Sequence, residues 1–309
     1  MGNIARLGTV VDQICCLPQG TRPADVQRLY RAARRLQKGS LTSAAALRLA
    51  EVVRPGDAAL LLTGAGAPPE LPFGETDGPL GVAVLARALH VGLAARPYVV
   101  SEERNLGPLR AVLQAIGTDY PLLALPCGGE EAGYRFLEEL RPRAIISVEK
   151  LGPNSKGVIH DVRGRDVSAS HGSVRGLFEG AKGRRILSVA VGDRGNEVGF
   201  GLLFAPHVRP ALRSRRCRCA CRGNIGCDIG TDVLVVSSIS NWGAYGVVTC
   251  LQVPTGRHLL HTVHEEAAML EAALGAGARD GVTHGATLTV DGSDLAVQQA
   301  VVTLLRSVH

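Results

Sequence analysis

The sequence predicts an α/β protein: a mainly parallel sheet flanked by helices in three layers, with a helical N-terminal lead-in. Three observations carry this expectation. Short apolar runs alternate with longer helical patterns along most of the chain. The runs close on glycines, carboxylates or other polar residues, as buried strands do where the chain turns. The composition, 46% hydrophobic with 38 glycines and only 4% aromatic, suits a compact core of Val, Leu, Ala and Ile. About eight βα-like units without an internal repeat favour one layered arrangement with right-handed crossovers. Residues 1–54 read as the lead-in, part of the same domain, and residues 55–309 as the α/β body. No Ser/Gly/Pro-rich linker divides them.

Taken in order, Pro23–Lys38 is an amphipathic helix with Asp25 in its first turn, and Ser40 or Thr42 caps a second helix to about Val53. These helices form either a lead-in or a lid. Ala58–Thr63 is a strand ending in Gly64-Ala-Gly66. Glu75-Thr-Asp77-Gly-Pro79 then opens a helix over Leu80–Leu93, with Pro79 in its first turn and Asp77 a candidate cap. Strands at Pro97–Ser101, Pro121–Leu125 and Ala144–Val148 alternate with helices at Gly107–Ile116 and Glu130–Leu140. Glu149-Lys150 follows the third of these strands. Asn154, Lys156, His160 and Asp161 lie in a glycine-rich loop, and a helix spans Val174–Lys182. The apolar run Ile186–Val191 reads as the central strand. It ends in Gly192-Asp193-Arg194-Gly195-Asn196-Glu197. Asp232–Ser237 is another strand, with Asn241 and Trp242 where it turns into a helix. The tail adds a helix over Val263–Leu274, a turn at Asp280-Gly281, a strand near Ala286–Val290, and a last helix from Asp294 after Asp291-Gly292.

The carboxylates Glu75, Asp77, Glu149, Asp193, Glu197 and Asp291 all follow predicted strands. In open α/β sheets that edge carries the ligand crevice. Converging carboxylates hold hard cations such as Mg²⁺ or Mn²⁺, or serve as a general base and its partner; each could also simply cap a turn or helix. There is no Walker loop and no full dinucleotide fingerprint, so no nucleotide cofactor is expected. No Gly-x-Ser-x-Gly elbow and no H-E-x-x-H are present, and His261 and His264 read as surface residues. Cys217, Cys219, Cys221 and Cys227 have an irregular spacing for zinc. Reduced thiols are the default reading and a structural zinc the alternative.

The net charge of +6 comes almost wholly from arginine. The basic clusters Arg28–Lys38, with Tyr30 its single aromatic residue, and Arg213–Arg222, with none, do not alternate charge with aromatic platforms, which argues for solvated faces over a nucleic-acid partner. No apolar run reaches the length of a membrane span, and the N-terminus lacks a secretion signal, so no membrane partner and no secretion are expected.

The motifs Glu75-Thr-Asp77-Gly-Pro79, Val148-Glu-Lys-Leu-Gly152, Gly192-Asp-x-Gly-Asn-Glu-Val-Gly199, Ser240-Asn-Trp-Gly243 and Val290-Asp-Gly292 occur in the order found in the D-glutamate cyclase-like C-terminal domain family, which the chain resembles from about Pro23 onward. The resemblance implies a catalytic domain over 55–309 and conversion of D-glutamate, as small-molecule substrate, to 5-oxo-D-proline with loss of water. It implies a mitochondrial matrix location in a eukaryote and a cytoplasmic one otherwise; a homo-oligomer is compatible with it. The resemblance carries over positions and not roles; from what lactam formation needs, a base for the ammonium and a proton for the departing oxygen, Asp193, Glu197, Glu149 and Asp161 are the expected catalytic groups. Asn196, Lys150, Asn241, Trp242 and Arg194 are expected at the substrate, and Glu75, Asp77, Asp193 and Asp291 at a metal. Two positions depart from the family pattern: Arg194 stands where glycine is expected, and Phe200 where methionine is expected. Arg194 could pair with Asp193, occupy a metal position or grip a substrate carboxylate. A site disabled by Arg194 that only binds a glutamate-like ligand, and a different metal-dependent enzyme on a small acidic metabolite, remain the alternatives.

Overall fold

A computed structural model describes residues 2–19, 23–128, 131–204 and 216–308. Glu130 and Arg213–Arg215, which belong to an expected helix and to a basic cluster, lie outside the described residues.

Six strands form one parallel sheet: β1 (Ala58–Gly64), β2 (Arg96–Ser101), β3 (Leu122–Ala124), β4 (Ala144–Lys150), β5 (Leu187–Gly192) and β6 (Val233–Val236), in the order β3-β2-β1-β4-β5-β6. Leu60 lies between Tyr98 and Ile145 in register, and Val189 between Ile146 and Val233. β1 and β4 are buried along their whole length, as expected of strands covered on both faces. The winding reverses between them, and this opens a crevice at their carboxyl ends.

Between β1 and β2 runs α4 (Pro79–Leu93), and between β2 and β3 runs α5 (Leu106–Ala115). The crossovers beyond β3 use α6 (Glu131–Leu140) and α7 (Arg175–Gly183), which pack on each other. After β5 comes the short α8 (Gly201–Phe204). α9 (Ser240–Thr255) follows β6, packs against α4 and carries Trp242 and Tyr245 into the core. α10 (Val263–Gly275) and α11 (Leu295–Ser307) complete the tail.

The lead-in comprises α1 (Gly2–Cys15), α2 (Pro23–Gln37) and α3 (Leu41–Val52). It is no lid: α1 and α3 pack on α9, with Val11, Cys15, Ala45 and Leu49 fully buried. Buried Asp12 accepts hydrogen bonds from Leu41 N at 2.9 Å, Thr42 N at 3.0 Å and Thr42 Oγ1 at 2.6 Å, satisfying orphan donors at the start of α3. Ser40 is the N-cap, accepting from Ser43 N.

One helix, α1, was not foreseen as an element, and three expectations need correction. α1 carries no sequence start signal and takes its stability from tertiary burial. The run ending at Asp193 is not central, because β5 lies one strand from the edge while β1 and β4 occupy the middle. The strand near Ala286–Val290 reduces to β7 (Thr289–Val290), paired antiparallel with β8 (Ser293–Asp294), because the chain reverses at Asp291-Gly292 with φ of +52° and +76°. His261 is not a surface residue: it is fully buried, with Nε2 2.6 Å from Glu266 Oε2 and its ring edge-on to Tyr245.

At the carboxyl ends of β2 and β4, Lys150 and Glu102 form a fully buried ion pair. Gly172 N donates to Glu102 at 2.9 Å, and His171 Nε2 sits 3.4 Å from Arg104. Burial, then the Lys150 charge, pushes the His171 pKa down from 6.5 to about 4. Above pH 6.5 the imidazole is neutral in both folded and unfolded chains. As pH falls from 6.5 towards 4 the unfolded chain takes up the proton first, and about 3 kcal/mol of stability is lost over that window. The carboxyls of raised pKa described below act in the opposite sense, so His171 is isolated by difference. The drop in melting temperature between pH 7 and pH 5 should be smaller for His171→Gln than for the parent; equal drops would reject the assignment.

Candidate active site

The sheet delivers carboxylates from four connections to one place. Glu75 and Asp77 lie between β1 and α4, Glu149 at the end of β4, Asp193 and Glu197 after β5, and Asp291 in the turn after β7. One oxygen each from Asp77, Asp193 and Asp291 lie within 4.8 Å of one another, and so do those from Glu149, Asp193 and Glu197. All six residues except Glu75 are buried by whole-residue exposure. Above them opens a cleft of ≈ 700 Å³ whose lining includes Glu75, Glu149, Asp291, Arg194 and Asn196.

Local structure explains the sharp turns. Glu149 and Asp291 both have positive φ, +47° and +52°. L-residues seldom adopt this region and the surroundings must hold them there. Gly78 has φ +101°, and a Cβ there would come within 2.2 Å of Thr63 Oγ1, so the Asp-Gly-Pro motif requires its glycine.

At 4.8 Å or less, two ionised carboxylates repel by roughly 3 kcal/mol or more at an effective dielectric of ~20. The fold answers this in three ways. Some groups are held toward the protonated form. Burial, followed by the Asp291 charge, raises Asp77 to about 8. Burial and Asp291 raise Glu75, and burial and Glu197 raise Glu149, both well above the usual range. Burial likewise raises Asp193, although Arg194 opposes the shift. Backbone donors supply the second answer. Asp77 accepts from Ser240 N and Asn241 N at 2.8 Å each, tying the loop to the start of α9 rather than capping α4, and Glu197 accepts from Arg194 N at 3.0 Å and Gly195 N at 2.7 Å. The third is Arg194. Its guanidinium bridges Asp193 Oδ2 at 3.0 Å and Asp291 Oδ2 at 2.5 Å, and these carboxylates, Asp193 first, raise its own pKa.

The all-oxygen donor set fits a hard cation. Asp193 Oδ1 is buried with no hydrogen-bond partner among the described residues, which leaves it open for ligation beside Asp77 and Asp291. Arg194 already brings one positive charge to the same carboxylates.

Other expected site residues occupy different environments. Asn196 lines the cleft; its Nδ2 donates to His160 O at 3.0 Å, and its buried Oδ1 has no partner among the described residues. Asp161 also lines the cleft, but accepts from Arg163 N, Arg165 N and Arg165 Nε. Lys150 is turned into the Glu102 pair. Asn241 is engaged by the Glu75–Gly81 loop: Oδ1 accepts from Gly78 N at 2.9 Å and Gly81 N at 2.8 Å, and Nδ2 donates to Thr76 O. Trp242 is core, with Nε1 donating to Gln298 at 2.6 Å. Sequence reasoning missed Glu102, Ser240, whose hydroxyl donates to Glu149, and the cleft arginines Arg163, Arg216 and Arg218. Glu102 directly follows the apolar run of β2, the same signal that singled out Glu149.

Fold and site together define a doubly wound α/β protein with a buried acidic cluster at its switch point. The chain belongs to the D-glutamate cyclase-like C-terminal family, whose profile matches residues 22–306. Human mitochondrial D-glutamate cyclase is 29% identical over 200 residues, an alignment covering 60% of this chain and 30% of the human protein. No helix among the described residues is long and apolar enough to cross a membrane.

Two outcomes follow from this geometry. Replacing Asn241 by alanine strands the Gly78 and Gly81 N–H groups, and should lower unfolding stability by about 2–5 kcal/mol in denaturant titrations. Arg194→Gly removes the internal cation from two buried carboxylates. Calorimetry should then show Mn²⁺ binding roughly tenfold or more tighter than in the parent; unchanged affinity would mean that Arg194 and metal do not compete.

Proposed function

We propose that this cleft converts D-glutamate to 5-oxo-D-proline with loss of water, a hydro-lyase reaction. The observation that carries the reading is the pairing of Glu149, a buried carboxyl held toward its protonated form, with guanidinium groups around the same cleft. An amino diacid presents the complementary groups: two carboxylates for cations and one ammonium for an acceptor.

The reaction joins the substrate's amine to its own γ-carboxyl carbon. The ammonium nitrogen loses two protons, the γ-carboxylate oxygen gains two, and water departs, so no net proton and no nucleotide is required. Both reacting groups belong to one molecule, and holding them in contact supplies much of the acceleration. In this reading Glu149, oriented by the Ser240 hydroxyl, carries protons from nitrogen to departing oxygen. The unpartnered Asn196 Oδ1 receives the ammonium. Arg163, Arg216 and Arg218 on the cleft walls receive the α-carboxylate. Glu197, Asp161, Lys150, Asn241 and Trp242 hold the surrounding backbone and walls in place. Mg²⁺ or Mn²⁺, held by Asp193, Asp77 and Asp291, would supply polarisation of the γ-carboxylate. A mitochondrial location, from the name of the human relative, belongs to the same reading.

The double pairing of Arg194 favours a second reading, in which the site binds a glutamate-like ligand without consuming it. NMR of the protein with D-glutamate and, separately, L-glutamate distinguishes the two. The cyclase reading expects 5-oxoproline from the D isomer, and a loss of about 10²–10⁴-fold in rate for Glu149→Gln with an unchanged melting temperature. Broadened but intact glutamate signals would replace it with the binding reading.

A further inference from the structure

A separate group of converging ligands, sharing no residue with the carboxylate clusters, lies between two segments whose neighbouring residues line the cleft. Arg216 and Asn224 pair as a β-bridge, and Cys217 N donates to Gly223 O at 3.0 Å, so Cys217, Cys219 and Cys221 lie on one short hairpin. The hairpin meets the 151–172 loop, where Arg218 N donates to Gly164 O at 2.9 Å. At this junction the buried His160 presents Nε2 to the three sulfurs. His160 Nε2 is 3.2 Å from Cys219 Sγ and 3.6 Å from Cys221 Sγ. Cys217 Sγ is 3.5 Å from Cys221 Sγ and 3.6 Å from Cys219 Sγ. All four ligand atoms lie within 4.8 Å of one another.

A tetrahedral zinc with Zn–S of ~2.3 Å and Zn–N of ~2.0–2.1 Å places its sulfurs about 3.8 Å apart and its sulfur–nitrogen pairs about 3.6 Å apart. The four distances above fall close to those edges. We propose that His160, Cys217, Cys219 and Cys221 form a Cys₃His zinc site that clamps the hairpin to the 151–172 loop. Cys227, which sequence spacing grouped with the other three, is not a ligand: it is fully buried, and its sulfur packs where a Cβ on Gly152 would meet it at 2.4 Å.

The surroundings suit thiolate ligands. Gly223 N donates to Cys221 Sγ at 3.3 Å, and Asn154 Nδ2 lies 3.7 Å from the same sulfur. Such outer contacts orient ligands and stabilise their charge. Three thiolates, one neutral imidazole and Zn²⁺ sum to −1, and Arg216, Arg218 and Arg222 flank the cluster in sequence. Four protein ligands leave no open position, which makes the site structural. Its consequence is geometric: both segments it joins line the cleft, the loop through Asp161, Arg163 and Arg165 and the hairpin through Arg216 and Arg218.

The test is elemental analysis of the purified full chain by mass spectrometry, combined with differential alkylation of the unaltered protein. One zinc per chain is expected. Cys217, Cys219 and Cys221 should resist alkylation until a chelator strips the metal, while the exposed Cys127 reacts at once. The double variant Cys217→Ser/Cys221→Ser should lose the zinc, and Cys227→Ser should keep it. Zinc retained by the double variant, a disulfide between any two of the three thiols, or metal-free protein whose three thiols alkylate as fast as Cys127 would each overturn the proposal. The alkylation arm decides the matter even if the double variant fails to fold.

Discussion

The crowding of carboxylates at the end of β1, β4 and β5 is the constraint on which the rest of this structure depends. A buried anion beside other anions is tolerated only with a cation, a set of N–H donors or a proton. Each answer has consequences further out. The N–H donors that hold Asp77 come from the first turn of α9, so α9 must start where it does, and Asn241 must bind the Gly78–Gly81 backbone in return. The donors that hold Glu197 come from the Arg194–Gly195 backbone, which fixes the loop that carries Asp193. Of the carboxyls that burial and neighbouring charge hold toward the protonated form, Glu75 and Glu149 line the cleft.

Arg194 ties two of the acidic turns together. A guanidinium bridging Asp193 and Asp291 joins the turn after β5 to the turn after β7, two segments far apart in sequence. It does in one side chain part of what a bound cation does with the same oxygens. The bridge neutralises charge but leaves Asp193 Oδ1 uncommitted. The floor of the cleft is therefore partly compensated from within, beneath walls that carry several arginines.

The two cleft walls are organised by different physics from the floor. Arg165 pairs with both Glu70 and Asp161, linking the β1–α4 connection to the 151–172 loop. The sulfur and imidazole cluster links that loop to the hairpin that follows α8. Partly exposed ion pairs contribute little on their own, whereas a metal held by four ligands contributes to folding outright. The walls thus place several arginines over an acidic floor without asking the floor to hold them.

Much of the fold was legible from local pattern. Strands β1, β4 and β5 are short, mostly apolar runs, broken only by Ser147 in β4 and Ser188 in β5, and the glycines or charged residues that close them mark their ends without any knowledge of partners. The carboxylates after those strands could be placed at one edge of the sheet, because a parallel sheet puts all its strand ends on the same side. Glu75, Glu149 and Asp291 do line one cleft. Strand order was not legible: β5 has the most conspicuous motif yet lies off-centre, since order follows from crossover packing and not from any strand's own residues. The roles of Asn241 and Trp242 were equally hidden. An Asn-Trp pair after a strand looks the same whether it faces a ligand or, as here, a backbone turn and the core. The partner of Cys217, Cys219 and Cys221 could not be found by spacing, because His160 is 57 residues upstream of Cys217. The sequence by itself determined which segments are strands and which residue types gather at their ends. Only the tertiary structure decided which side chains meet, because hydrogen bonds, ion pairs and ligand sets depend on distances in space that local sequence does not encode.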